Sequence, residues 1–560
     1  MQIRRFISFL FDQEAGNYLL IVLFSLFAHG LLLLNDGVYW DGWLIYVAKL
    51  QDRWNLVYTI YADRGGLPVY TAFHWAMRYF PSFVFGYKLV AYLFILGSAI
   101  ITYQIARQLG GSRSIALFIS LISLTFPANQ ATVELIVIPY LFSYFLFCIG
   151  CLILVVAENK SRQSTILRRF GAIVFFLFSF RMYSLLVHFY GFLFIMFISQ
   201  TWRNSRKSWP TSANKFLVAH LDFFLLPIVF WFLNSWLFPP SGPYVTSDEF
   251  ILDRSIFPLA GRFIANSLFG QVFESLKNLA NPVILVIIGL FAVVMYFSYK
   301  PPEKDERLLR RKKTIFGLFL LGLTFFFTGM VPYILVGRST MLHGWSTRNA
   351  VLIAVPTALI IVSFLLIIFP LQFAEKRPKA FPKILTVVLS SLVILFTTET
   401  EKFYLGWQLR AIKDNSVIAN FARGASTLDD TTIFFVYDKF RVGGESKYRP
   451  HEYYGMFERA FPGRGQIGFD VNYYTYEEYF LGRSDVRKEQ LELWYPNLDP
   501  YGCQAEMHIE AGSIEFNTWL FPKYFYYRYI NGSGLERFLQ DVTTLRFVPI
   551  DSTLATNCRR

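Results

Sequence analysis

The sequence predicts a multi-spanning α-helical membrane protein of about eleven transmembrane segments, ending in a small extracytoplasmic α/β domain. Three observations carry this expectation. Of 560 residues, 54% are hydrophobic, and the mean hydropathy is +0.39, which is more apolar surface than a single soluble core buries. The apolar residues gather into runs separated by Arg- and Lys-rich connections, the pattern of helices threaded through a bilayer. Beyond about residue 398 the runs shorten and Gly and charged residues spread through the chain, leaving roughly 160 residues for one folded domain.

The first run, Tyr18 to Leu34, follows Arg4-Arg5 with no small-residue cleavage site, so it reads as a retained span and not a cleaved signal. The further runs are 84–106, 114–128, 138–157, 170–181, 183–200, 217–235, 282–298, 314–336, 349–369 and 384–397. The stretch 170–200 is short for two full spans and carries Arg181 in its middle. Lys160, Arg162, Arg168 and Arg169 precede it, and Arg203, Arg206 and Lys207 follow it. A hairpin of short helices with Arg181 at the external face satisfies that pattern. Positive charge retained on the cytoplasmic side also places Arg107, Arg113, the run 299–313 and Lys376-Arg377-Pro378-Lys379 inside. The expected arrangement is a multi-pass protein of the cell inner (plasma) membrane, with a cytoplasmic N-terminus and an external C-terminal domain. Residues 1–397 form the membrane domain, with an amphipathic first external loop over 36–83, and residues 398–560 form the outer one. The other external segments are 129–137, 236–281 and 337–348.

The net charge of +14 would suggest nucleic acid in a soluble protein. Here much of it lies in short loops beside spans, where it orients the chain, and no nucleic-acid partner is expected. The 61 Phe, 33 Tyr and 12 Trp cluster near span ends, where aromatic rings sit at headgroup level. In the outer domain Thr431 to Tyr437 reads as a buried strand, Leu545 to Ile550 as a weaker one, and Ser484 to Leu493 as a short helix with Ser484 as N-cap. Cys148 and Cys151 read as small buried hydrophobes. Cys503 and Cys558 fall where a disulfide is chemically permitted, and sequence alone does not pair them. Asn531-Gly532-Ser533 matches a glycosylation acceptor.

Asp36 and Asp41 lie in Asn35-Asp36-Gly37-Val38-Tyr39-Trp40-Asp41-Gly42-Trp43, directly after the first run. Five residues apart, they do not share a face of an ideal helix, whereas a turn brings them together. Either they are solvated loop acids beside interface tryptophans, or one handles the proton of an incoming nucleophile. The sequence stays amphipathic through Trp54, then runs through Gly66-Leu67-Pro68-Val69-Tyr70 to Phe73-His74-Trp75, as a rim around a lipid substrate would. Glu134 is the next distinctive acid, on the same external side. With Asp36 or Asp41 it would share an oxygen-liganded ion, magnesium or manganese, or else form a hydrogen-bonded gate or ion pair. The cationic counterparts are Arg64, Arg181, Arg338, His343 and Arg348. Arginine's planar fork grips phosphate oxygens, while interface snorkelling accounts for any one of them singly. His74 and His188 read as packing histidines.

At these residues the chain resembles the membrane-embedded GT-C glycosyltransferase superfamily, in particular the polyprenyl-phosphate-sugar-dependent transferases of the aminoarabinose and protein-mannosyl type. The resemblance rests on an acid just after the first span (Asp36, with Asp41 near it), a Gly-x-Pro loop (Gly66-Leu67-Pro68-Val69-Tyr70), an acid between spans three and four (Glu134), and a late external arginine segment (Arg338 to Arg348). It implies a GT-C-like fold and an inverting transfer of sugar from a polyprenyl-phosphate donor to an extracytoplasmic lipid, glycan or protein acceptor. It also implies Asp36 as general base with Asp41 as its substitute, Glu134 on a divalent cation or on the acceptor, and Arg338 or Arg348 on the donor phosphate. A lipid-linked glycan polymerase or ligase and a lipid-glycan transporter or flippase are the rival readings.

Overall fold

A computed structural model describes residues 10–11, 13–63, 68–157, 162–203, 209–239, 241, 255–298, 312–373, 381–424, 431–442, 448–472, 494–495, 497–499 and 502–550. Among these, six helices are long and apolar enough to cross a membrane, or up to eight if each of two bent pairs counts as one span. Among the described residues fewer than the eleven expected runs are helices of spanning length, although the apolar runs lie where they were read. The reasons are local.

Helix α1 (Glu14–Leu33) leads into the loop helices α2 (Gly42–Leu50), α3 (Trp54–Asp63) and α4 (Pro68–Met77), which α5 (Phe83–Gln108) follows. Helix α6 (Arg113–Thr125) stops because Pro127 disfavours a helical Phe126, which is extended at ψ 121°. Thirteen residues reach about 20 Å, short of a hydrocarbon core of about 30 Å. Helix α7 (Ile138–Ala157) then spans. The short run 170–181 is the second half of α8 (Arg162–Ser179), which forms a hairpin with α9 (Ser184–Arg203), so Arg181 sits in a turn as expected.

Run 217–235 lies in a pair bent by 52°, α10 (Trp209–Ala219) and α11 (Leu221–Leu237). Run 282–298 is the outer arm of another pair. Its first arm is α12 (Ile256–Ile264), a π-helical stretch Ala265–Gly270 and α13 (Gln271–Lys277), and it meets α14 (Pro282–Ser298) at 95°. Helices α15 (Lys312–Leu335) and α16 (Ala354–Phe373) follow, separated by a segment that includes a 3-10 helix, Trp345–Ala350.

Helix α17 (Phe381–Gly424) is 44 residues long. It contains no proline after Pro382 and runs straight through residue 397, where the division between domains was expected. Its outer turns carry the C-terminal domain, which comprises β1 (Thr431–Asp438), α18 (Pro450–Ala460), β2 (Ile467–Asp470), β3 (Cys503–Ala511), α19 (Leu520–Tyr529), α20 (Leu535–Val542) and β4 (Thr543–Pro549). The sheet order is β2-β1-β3-β4, with β1 parallel to both neighbours and β3 antiparallel to β4. Central β1 buries Ile433, Phe434 and Val436, which is why it reads as a nearly continuous apolar run. The two expected strands are β1 and β4. The expected helix 484–493 and Cys558 lie outside the described residues, and Cys148 and Cys151 are free and buried.

Phe421 of α17 stacks on Phe457 of α18 at 4.0 Å and packs on Phe434 of β1 at 5.3 Å. Gly455 of α18 faces Trp43 of α2 so closely that a Cβ there would stand 2.4 Å from the indole. The loop after α1 is thus pressed against the C-terminal domain.

Candidate functional site

The loop after α1 is built around Asn35. Its Oδ1 accepts from Gly37 N at 3.0 Å, an Asx-type turn that reverses the chain, and lies 3.0 Å from the Tyr39 hydroxyl. Trp40 then adopts a left-handed backbone, φ 43°, a conformation that costs a bulky residue about 1–2 kcal/mol. Three contacts hold it. Glu452 Oε1 of α18 accepts from Trp40 N at 2.9 Å, and the indole packs against Trp345 at 5.1 Å and Trp407 at 4.5 Å. The reversal turns the next residue, Asp41, toward α18. Its Oδ1 accepts from Arg449 Nη1 at 2.8 Å, and His451 Nε2 stands 3.2 Å away. Burial raises the Asp41 pKa. The adjacent His451 and the charges of Arg449 and Arg348 outweigh it and hold the carboxyl well below the usual carboxylate range.

Asp36 turns elsewhere. Its Oδ2 accepts from the Tyr524 hydroxyl of α19 and lies 3.7 Å from Arg528 Nε. Both aspartates thus reach the C-terminal domain, but they bind different helices.

Glu134 is fully buried between Asn129-Gln130 and α7. Gly42 makes room for it, since a Cβ there would lie 2.2 Å from Glu134 Oε1. Burial and the neighbouring Asp41 charge push the Glu134 carboxyl well up, with Lys88 pulling the other way. Lys88 was missed in the sequence. Buried within α5, it donates to the Val133 carbonyl oxygen, lies 5.3 Å from the Tyr39 ring, and interacts electrostatically with both Glu134 and Asp36. These side chains do not fit the magnesium or manganese ion expected between Asp36 and Glu134. Asp36 is taken up by Tyr524 and Arg528, Lys88 puts a positive charge in the field of both acids, and among the described residues no group of three His, Cys, Asp or Glu side chains gathers to hold a metal.

The segment before α16 packs on the 129–137 loop. Gln130 Nε2 donates to the Leu342 carbonyl oxygen at 2.9 Å, and Ala131 N donates to Thr347 Oγ1 at 3.1 Å. Arg348 lies over the Trp345 ring at 3.8 Å and acts on Asp41 and on the Tyr333 hydroxyl. Arg338 acts on Tyr333 as well. Arg181 is further off. It pairs with Asn234 Oδ1, lies over Phe238 at 4.9 Å, and acts on Tyr70. His343 faces away, 3.2 Å from Gln130 and 5.5 Å from the Phe403 ring, in the field of Glu274, Glu399 and Lys277. Arg64 lies outside the described residues. Behind the 129–132 loop an apolar cleft opens between spans, lined by residues that include Phe94, Thr132, Leu141, Tyr144 and Val351. His74 bridges the Tyr61 and Tyr87 hydroxyls, and His188 stacks on Phe325 at 3.9 Å, so both are packing residues as read.

Asp41, Glu134 and Arg348 are therefore brought together, with Arg338 near them. Asp36, Arg181 and His343 are not. Sequence reasoning also passed over Arg449, His451, Glu452 and Arg410. Lys88 could have been found, because a lone ionisable residue inside an apolar span is costly unless it serves something. Pro450 at the first helical turn with Glu452 two positions on marks the start of α18, but nothing local ties that turn to Asp41.

No protein-family model and no curated protein matches the chain. Among solved structures, ArnT from Cupriavidus metallidurans in the apo state aligns over 89% of this chain and 93% of that one, at 12% identity and a TM-score of 0.35, a likeness too remote to decide fold or chemistry. The helices and the outer sheet themselves define the class, a largely α-helical multi-spanning membrane protein with a small mixed β-sheet domain at its C-terminal end.

Proposed function

We propose that the protein is a glycosyltransferase that moves a sugar from a polyprenyl-phosphate donor to an extracytoplasmic acceptor, with inversion at the anomeric carbon. One observation carries this reading: Arg449, hydrogen-bonded to Asp41, and Arg348 both lie over the Trp345 ring, and Ala350 and Val351, which follow Arg348, line an apolar cleft. That arrangement suits a lipid-linked, phosphate-bearing substrate. Asp41, and not Asp36, is the carboxylate we assign to the acceptor. Held ionised, it orients an incoming hydroxyl or amine and takes its proton as the new bond to the anomeric carbon forms and that proton becomes acidic. Arg348, assisted by Arg338, stabilises the negative charge that develops on the departing polyprenyl phosphate. No step is routed through a metal ion. Cys503 is disulfide-bonded, which supports an oxidising, external compartment for the C-terminal domain.

The test is reconstitution in liposomes with candidate polyprenyl-phosphate sugars, followed by mass analysis of released polyprenyl phosphate and of glycosylated acceptor. Release that depends on Asp41 supports the reading. Translocation of intact lipid-linked sugar without bond cleavage sinks it.

A further inference from the structure

Arg449 touches both halves of the proposed site. Its Nη1 donates to Asp41 Oδ1 at 2.8 Å, and its guanidinium lies 5.4 Å from the Trp345 ring that also carries Arg348. His451, two residues on, adds its Nε2 at 3.2 Å from the same carboxylate oxygen. Glu452 follows. Its Oε1 accepts from Trp40 N and from Arg410 Nη2 of α17, and its Oε2 accepts from Arg449 N at 2.9 Å. One turn of the C-terminal domain therefore holds the left-handed residue that aims Asp41 and also holds the Asp41 side chain. The carboxylate is held without being sealed, since 22% of its side-chain surface stays exposed.

An ion pair that served only to glue the domain down would have no need to grip the backbone of the one strained residue beside the reacting acid. Strain of this kind persists where surrounding structure over-determines it, and it gathers at functional sites.

We propose that the C-terminal domain is a working part of the membrane site, with Arg449, assisted by His451, as the positioning residue for Asp41, and Glu452 as the positioning residue for the Trp40 backbone. The inference rests on the assignment of Asp41 to sugar transfer. The charged and titratable groups facing Asp41 are Arg449 and His451 from α18, Arg348 from the 345–350 helix, and Glu134 from the 129–137 loop.

Two readouts on the full-length protein test it. The first is independent of activity: labelling of Asp41 by a water-soluble carbodiimide with glycine ethyl ester, followed across pH by peptide mass spectrometry, since the reagent attacks the protonated carboxyl. In Arg449→Met the labelling midpoint is expected to rise by at least one pH unit, a tenfold gain in labelling at fixed acidic pH, with Arg449→Lys in between. The second is the pH profile of kcat/KM for polyprenyl phosphate release. It is expected to fall at least tenfold in Arg449→Met, with its acid limb moved to higher pH and with KM for the donor little changed. Unchanged labelling and an unchanged acid limb in both variants overturn the proposal. Shifted labelling with full activity overturns it too, because the carboxylate is then displaced without consequence. If wild type transfers no sugar from any lipid-phosphate donor while labelling shifts as expected, the transferase reading fails and the hold on Asp41 stands. Should Arg449→Met fail to fold, Arg449→Lys carries both readouts.

Discussion

Asp41 and Arg449, 408 positions apart in the chain, meet at 2.8 Å. The contact joins the loop after the first span to the first turn of α18, so the site cannot be assigned to the membrane helices alone. It also separates the two aspartates, because Asp36 binds Tyr524 and Arg528 on a different helix.

Asp41→Asn is expected to lower sugar transfer by about 10²–10⁴-fold, the range for loss of a positioned proton acceptor. Asp36→Asn is expected to stay within about tenfold of wild type, on the order of one lost hydrogen-bonded partner at an interface. Rates of polyprenyl phosphate release from the two variants check this, and equal losses would argue against Asp41 as the single reacting acid.

Arg348→Ala is expected to reduce kcat by about 10²–10³-fold, as removal of a preorganised charge at a leaving group does. Arg348→Lys is expected to recover only part, because an ammonium lacks the planar fork and its stacking on Trp345. Single-turnover release at saturating donor separates this from a loss of binding.

Gly455→Ala is expected to destabilise the protein by about 1–3 kcal/mol through overpacking, since the added methyl would meet Trp43 at 2.4 Å. Gly42→Ala meets the Glu134 carboxylate instead. Thermal unfolding in detergent measures both, and a midpoint equal to wild type in either would show that the packed neighbour yields freely.

Stability against pH carries two opposite signatures. The Asp41 carboxyl is depressed on folding, so its contribution is fully present above the unfolded value of about 3.9 and is lost as pH falls through the folded value. The Glu134 carboxyl is raised, so the folded state binds the extra proton, and stability falls as pH rises above the unfolded value of about 4.3. Glu134→Gln is therefore expected to raise the unfolding temperature at pH 8 relative to wild type, with little change at pH 4. The same offset at both pH values would show that Glu134 binds its proton equally well folded and unfolded.

What the sequence made legible follows from how local each signal is. The apolar runs located the membrane helices because hydrophobicity is carried residue by residue, and Thr431 to Tyr437 marked β1 because a central strand buries both faces. The number of spans was not legible. Whether two apolar helices continue one another or turn by 95° at Asn281-Pro282 depends on packing beyond the bend. Asp41, Glu134 and Arg348 were read as site residues because charge beside an apolar run is conspicuous. Their partners were not, because Arg449 sits in a polar stretch where one more arginine carries no signal, and its pairing is made only by the folded domain.

The unbroken α17 adds a mechanical property. At about 1.5 Å per residue, a rod of 44 residues extends well past a hydrocarbon core of about 30 Å and ends on the sheet through Phe421, and about two-thirds of the way along it Arg410 holds Glu452. A stiff lever of this kind delivers any rocking of the last membrane helix straight to the turn that grips Asp41. A shift of the last membrane helix would then reach the Asp41 contact without an intervening hinge.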